Sequence, residues 1–166
     1  MILIGLGGNL DSPRFGPPRR TLAAALERLA AGGIRVLRRS RFYTSAPVPV
    51  SDQPWYVNAV AEIETGLDPV GLLAALLAVE KEFGRRRGAV NAARVLDLDL
   101  LAYGDAVTPA DAHPALPHPR LAERAFVLLP LAELAPGWRH PGDGREISAL
   151  INGLPRGQTA APLAGD

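Results

Sequence analysis

Two aspartates one residue apart, Asp97 and Asp99, stand in the run Arg94-Val95-Leu96-Asp97-Leu98-Asp99-Leu100-Leu101. In a β-strand residues i and i+2 point to the same face, so the two carboxylates project together while Leu96, Leu98 and Leu100 line the opposite side. Adjacent carboxylates repel each other, and one pKa rises unless a cation sits between them. Hard oxygen donors suit Mg²⁺, which binds through one or two carboxylates, waters and substrate phosphates. Two such ions can clamp a phosphate chain and neutralise charge as it develops. A solvated edge strand would carry the same D-x-D pattern. Val95 and Leu101 share the aspartates' face, however, so that face is partly buried, and two unpaired carboxylates there would be costly.

Cations gather just before this strand. Arg85, Arg86 and Arg87 open a loop that Arg94 closes. Guanidinium forks match phosphate oxygens bidentately, so the loop could cradle a triphosphate, meet a nucleic-acid backbone or lie solvated. Farther upstream, Tyr56 and Asn58 share one face at the start of a strand. An aromatic ring stacks on a flat heterocycle, and a carboxamide offers its edge a donor and an acceptor; ordinary packing is the alternative for Tyr56. Glu80, one turn after Leu76 on a helix, is either an exposed charge or a nucleotide contact, and His118 lies between prolines in a loop. There is no G-x-x-x-x-G-K-[ST], and Gly5, Gly7 and Gly8 do not form G-x-G-x-x-G. A bound nucleotide would therefore depend on arginines and metal ions.

These groups need elements to hold them. Ile2–Leu6 reads as a strand ending in Gly7-Gly8-Asn9, and Arg20–Ala31 as a helix with Leu22, Ala25, Leu26 and Leu29 at helical spacing. Ile34–Tyr43 reads as a strand. The segment 44–55 has three prolines and must be a stiff loop. Tyr56–Glu64 reads as a strand. A helix then begins at Asp68-Pro69, buries Leu72, Leu76, Val79 and Phe83, and stops at Gly84. Val95–Tyr103 is the aspartate strand, 109–119 a proline-rich loop, and Ala122–Ala135 a helix burying Phe126, Leu129 and Leu134. Strands and helices mix without strict βαβ alternation, which predicts an α+β fold with a mainly antiparallel sheet. Residues 1–154 are expected to form a single domain and 155–166, polar and Gly/Pro/Ala-rich, a disordered tail.

The 166 residues suit one domain, and the absence of cysteine removes disulfides, thiolate metal sites and a cysteine nucleophile. The net charge is +1, but residues 1–50 hold eight arginines against Asp11 and Glu27, whereas 51–100 hold eight acids. Seventeen of the 18 basic residues are arginine, so an arginine-rich codon usage explains this asymmetry as well as an anion-facing surface does. No run of 18 apolar residues is present, and no signal segment is read at the start, so a cytoplasmic protein without membrane contact is expected. A nucleic-acid module on a similar sheet predicts a basic domain with aromatics displayed on the strands. Near-neutral charge and nine aromatics argue against it, so no nucleic-acid partner is expected.

Taken together, the segments GLGGNL, YTSAPVPVSDQPWYVNAV, EKEFGRRR, ARVLDLDLL and LPHPRLAERAFVLLPLAELAP occur in an order that resembles the 6-hydroxymethyl-7,8-dihydropterin pyrophosphokinase family from about Ile2 to Pro136. The resemblance implies a ferredoxin-like α+β fold with helices on both faces of the sheet, and pyrophosphoryl transfer from ATP with two Mg²⁺ ions. A monomer is expected. By residue, the resemblance implies Asp97 and Asp99 bridging both metals, and Arg85 and Arg94 on the ATP phosphates as further catalytic groups. Arg87 would join on loop closure, His118 and Arg124 would contact the triphosphate, and Glu80 would help position the nucleotide. Tyr56 and Phe126 would sandwich the pterin, whose edge Asn58 reads with backbone groups of Ser45, Ala46, Pro47 and Val48. Asn91, Leu77, Pro119, His113 and Ala115 depart from residues found in other members, which bears on nucleotide affinity and loop behaviour.

Overall fold

The computed structural model describes residues 1–86 and 88–166; Arg87 lies outside the described residues. Its elements, in chain order, are β1 (Ile2–Gly8), α1 (Pro18–Ala31), β2 (Arg35–Arg39), β3 (Tyr43–Ser45), β4 (Tyr56–Glu64), α2 (Pro69–Glu82), β5 (Asp97–Tyr103), a 3-10 turn (Leu121–Glu123), α3 (Ala125–Leu134), α4 (Ile147–Asn152) and β6 (Ala160–Pro162). Every strand pairing is antiparallel, in the order β5-β1-β4-β3-β6, and β2 also pairs with β4.

Period-two alternation splits the core in two. Ile4, Leu6, Ala59, Ala61, Ile63, Leu96, Leu98 and Leu100 pack with Leu22 and Leu29 of α1 and with Leu72 and Leu76 of α2. Leu3, Val60 and Leu101 pack with Leu128 and Leu131 of α3 and Leu150 of α4. Helices thus cover both faces, as expected of an α+β, ferredoxin-like fold. The start of α2 follows its sequence signals: the Asp68 carboxylate accepts the Gly71 N–H at 2.7 Å and Pro69 fills the first turn. Past its end, Gly84 takes φ +89°, a conformation that favours glycine.

Four expectations need correction. The strand read over 34–43 is two strands: the Ser40 hydroxyl accepts the Val60 N–H in place of a ladder carbonyl, and residues 40–42 belong to neither strand. The helix read over 122–135 is a 3-10 turn followed by α3, with the break at Arg124 in extended conformation. Leu129 and Phe126, expected inside, are only partly buried. The segment 155–166 is not disordered: β6 pairs with β3, Leu163 packs on the core, and the Asp166 carboxylate ion-pairs with Arg19 and Arg39. The tail is thus held against the edge of the sheet. Composition failed there because an edge strand needs few apolar residues when its partner strand supplies the hydrogen bonds. Helix α4 was not anticipated.

Gly8 fixes where the aspartate strand enters. A Cβ there would run into the Val95 carbonyl oxygen, and the next residues, Asn9 and Leu10, both donate backbone N–H to the Arg94 carbonyl at 2.9 and 3.2 Å. Gly8→Ala is expected to lower unfolding stability by about 1–3 kcal/mol, read from the shift of a urea midpoint; an unchanged midpoint would show that these segments part without cost.

Candidate active site

The floor of the site is the face of the sheet that carries Gly5 and Gly7. Register places Asp97 beside Gly7, and Gly7 beside Asn58; Asp99 lies beside Gly5, and Gly5 beside Val60. The carboxylates of β5 and the carboxamide of β4 thus share one face, with two side-chain-free positions of β1 between them. A Cβ at Gly7 would come within 3.0 Å of Asn58 Oδ1, so glycine leaves that trough open. Above it lies a cavity of about 850 Å³ lined by both aspartates, Glu80, Arg85, Arg94, His118, Arg124, Ser45, Ala46, Pro47, Val48, Tyr56, Asn58 and Phe126. Of the described residues singled out from the sequence, Arg86 alone does not line this cavity and faces a separate pocket beside Phe83 and Val95. The departures Leu77, Asn91, His113, Ala115 and Pro119 line the same cavity.

One end of the cavity is ionic. Asp97 Oδ1 meets Arg85 Nη1 at 2.8 Å and Arg94 Nη1 at 3.1 Å, and Asp99 Oδ2 meets Arg124 Nη1 at 3.5 Å. Asp99 lies deep between the walls although 30% of its side chain remains open to the cavity. Burial, reinforced by the charge of Asp97, holds its pKa above the usual carboxylate range against the pull of Arg124, Arg85 and Arg94. Two oxygen-donor groups side by side, one of them costly to ionise, fit a divalent cation. Among the described residues no three His, Cys, Asp or Glu converge on a metal cage.

Glu80 has a different place from the one expected. Its side chain is 1% exposed; Oε1 accepts the Leu98 N–H on the free edge of β5 at 2.7 Å, and Oε2 faces Arg85 Nη1 at 2.5 Å in an ion pair without hydrogen-bond alignment. Burial raises its pKa, Asp97 adds to the rise, and the Leu98 N–H and Arg85 oppose it. Glu80 ties α2 to β5 and holds Arg85 beside Asp97.

The other end is aromatic and amide-lined. Asn58, 4% exposed, donates through Nδ2 to Ser45 Oγ at 2.7 Å. Tyr56 on β4 and Phe126 on α3 both line the cavity, and the Arg124 guanidinium lies 5.4 Å from the Phe126 ring centre.

Sequence reasoning passed over three residues. Gly5 and Gly7 form no nucleotide motif; their alternation on a strand beside the aspartates is the signal that marks them. Asn9 is 3% exposed and joins both flanking loops: Nδ2 donates to Gln53 Oε1 and the Pro54 carbonyl at 3.1 and 3.0 Å, and Oδ1 accepts the Arg94 N–H at 2.9 Å. Gln53 continues the chain, donating to the Asn91 carbonyl at 2.7 Å.

The sequence profile of the 7,8-dihydro-6-hydroxymethylpterin-pyrophosphokinase family matches residues 3–136, most of the chain. This chain belongs to that family. Among curated pyrophosphokinases of this family, it is 46% identical to the Methylorubrum extorquens protein over 80% of this chain and 81% of that one. It is 42% identical to the Synechocystis protein over 90% and 73%, and 41% identical to the Pseudomonas aeruginosa protein over 93% and 91%. A solved Plasmodium falciparum HPPK-DHPS triple mutant superposes with a TM-score of 0.66 at 13% identity, across 91% of this chain and 43% of that longer chain, a likeness of fold. The pyrophosphokinase family match ends at Pro136, so α4 and β6 lie beyond it.

His118 has a defined state within this pyrophosphokinase site. Its Nδ1 accepts the Arg120 N–H at 3.1 Å, which leaves the proton on Nε2. Burial first, then Arg124 and Arg120, lower its pKa to about 4, against a contrary pull from Asp97. Because the folded value lies below the ordinary 6.5, the stability this neutral ring contributes is present above that pH and is lost as pH falls toward 4. NMR titration of the His118 ring is expected to show no step between pH 6 and 7; a step there would mean the ring is solvated.

Proposed function

We propose that the chain transfers the pyrophosphoryl group of ATP to the hydroxymethyl oxygen of 6-hydroxymethyl-7,8-dihydropterin, giving AMP and the dihydropterin diphosphate, a step of folate biosynthesis. Membership of the family supports the reaction. The observation that carries the assignment to this site is the single cavity with a carboxylate–guanidinium end and an aromatic–carboxamide end.

In this reading the hydroxymethyl oxygen attacks the β-phosphorus of ATP. A new O–P bond forms, the bond from that phosphorus to the oxygen shared with the α-phosphate breaks, AMP departs, and the hydroxyl proton passes to solvent. Asp97 and Asp99 would hold two Mg²⁺ ions, which supply neutralisation of the triphosphate charge. Arg85 and Arg94 bind phosphate oxygens, and the Nε2–H of neutral His118 and the Arg124 fork add donors. Arg87 would add a further cation. Tyr56 and Phe126 stack on the pterin, and Asn58, oriented by Ser45, reads its edge together with the backbone of Ala46, Pro47 and Val48. No side chain is assigned as a general base. The acceleration comes from positioning and charge stabilisation.

Asp97→Ala is expected to cut turnover by about a thousandfold or more with far-UV circular dichroism unchanged, and chelation of divalent ions is expected to stop the wild-type reaction until Mg²⁺ is restored. Substantial activity of the variant with Mg²⁺ would remove the two-metal assignment. Asn58→Ala is expected to weaken pterin binding by about ten- to a hundredfold and to leave a non-hydrolysable ATP analogue nearly unaffected in calorimetry. Equal losses for both ligands would refute the pterin role.

A further inference from the structure

The last eleven residues reach both walls of the pterin end without lining the cavity themselves. Gln158 supplies what α3 lacks at its start. No Arg124 side-chain cap serves that helix, and Gln158 Oε1 accepts the Ala125 N–H at 2.9 Å while its Nε2 donates to the Glu123 carbonyl at 2.7 Å. A helix start leaves backbone N–H groups without partners, so this side chain, 33 residues along the chain, fixes the turn that carries Phe126. The very next residue serves the opposite wall: the Thr159 carbonyl accepts the Ala46 N–H at 3.1 Å, just after β3. Residues 160–162 then pair with β3, Leu163 N–H donates to the Phe42 carbonyl at 2.7 Å, and Asp166 closes the run on the Phe42 N–H, Arg39 and Arg19.

We propose that residues 156–166 act as a strap that sets the width of the pterin slot, with Gln158 and Thr159 holding the Phe126 turn and the Ser45–Val48 segment at a fixed separation. Gln158 is a positioning residue. It touches no substrate and acts through the backbone at Ala125 and Glu123. Gln158 touches only the backbone on either side of Arg124, whose guanidinium keeps its own ion pair with Asp99, and Arg85 and Arg94 stand apart from the strap, so the phosphate end depends on it less than the pterin end does. The inference rests on the pterin reading given above.

The test is calorimetry on the full chain, with 6-hydroxymethyl-7,8-dihydropterin and separately with a non-hydrolysable ATP analogue plus Mg²⁺. Gln158→Ala is expected to raise the pterin Kd about tenfold and to change the nucleotide Kd less than about twofold. Gln158→Glu keeps the acceptor for Ala125 but loses the donor to Glu123, and is expected to fall between Gln158→Ala and wild type. Asp166→Ala, which frees the far end of the strap, is expected to lose pterin affinity selectively as well, with a folded thermal transition retained. Pterin binding by Gln158→Ala equal to wild type, or equal losses of both ligands, overturns the strap. Wild-type protein that binds nucleotide but not the pterin overturns the pterin reading itself, and the strap with it.

Discussion

Repulsion between Asp97 and Asp99 organises this molecule. β5 is an edge strand, and its two carboxylates share a partly buried face, so something positive must face them. In the structure positive charge comes from Arg85, Arg94 and Arg124, drawn from a loop after α2, the approach to β5 and the turn before α3. Each of these segments is tied down nearby. Glu80 anchors Arg85, Asn9 grips the Arg94 backbone, and the Arg124 turn is pinned by Gln158 at its neighbour Ala125. On the proposed reading these guanidiniums are the groups that a triphosphate takes over as divalent ions take the carboxylates. The ion pairs seen in the structure thus keep the phosphate donors in place before substrate arrives.

The glycines of β1 separate the two halves of the chemistry. Side chains at Gly5 and Gly7 would fill the trough between Asp99 and Val60 and between Asp97 and Asn58. β1 lies between β5 and β4, so no other strand can provide that gap. The same strand needs Leu3, Ile4 and Leu6 for the two cores, so it alternates between bulk for stability and vacancy for function.

Much of this was legible because strand alternation and helix periodicity are local. The D-x-D face, the Tyr56–Asn58 face and the buried stripe of α2 each follow from spacing within a few residues, and the structure keeps all three except that Phe83, expected in the stripe, lies just past the helix and is only partly buried. The illegible parts are long-range. Glu80 reads as a rim charge along its own helix; only the nearness of the free edge of β5 makes it a buried anchor. Asn9 reads as a turn residue, and its role depends on loops 44 and 85 residues away. The tail reads as disordered because its hydrogen-bond partners, at Phe42, Ala46 and Ala125, lie far upstream.

Two loops that line the cavity are tied to each other by such long-range bonds. The loop 46–55 is stiffened by its prolines, and the loop 84–94 opens at Gly84 with φ +89° and passes through Asn91 at φ 61°. The two meet through Gln53 and through the Asn9 carboxamide, which has one end on Gln53 and Pro54 and the other on Arg94. A single buried amide cannot keep these partners if one loop shifts and the other does not, and an unpartnered amide in that position is unfavourable. The cost of moving either loop alone therefore exceeds the cost of moving both, which couples the wall that carries Gln53 and Pro54 to the arginine beside the aspartates.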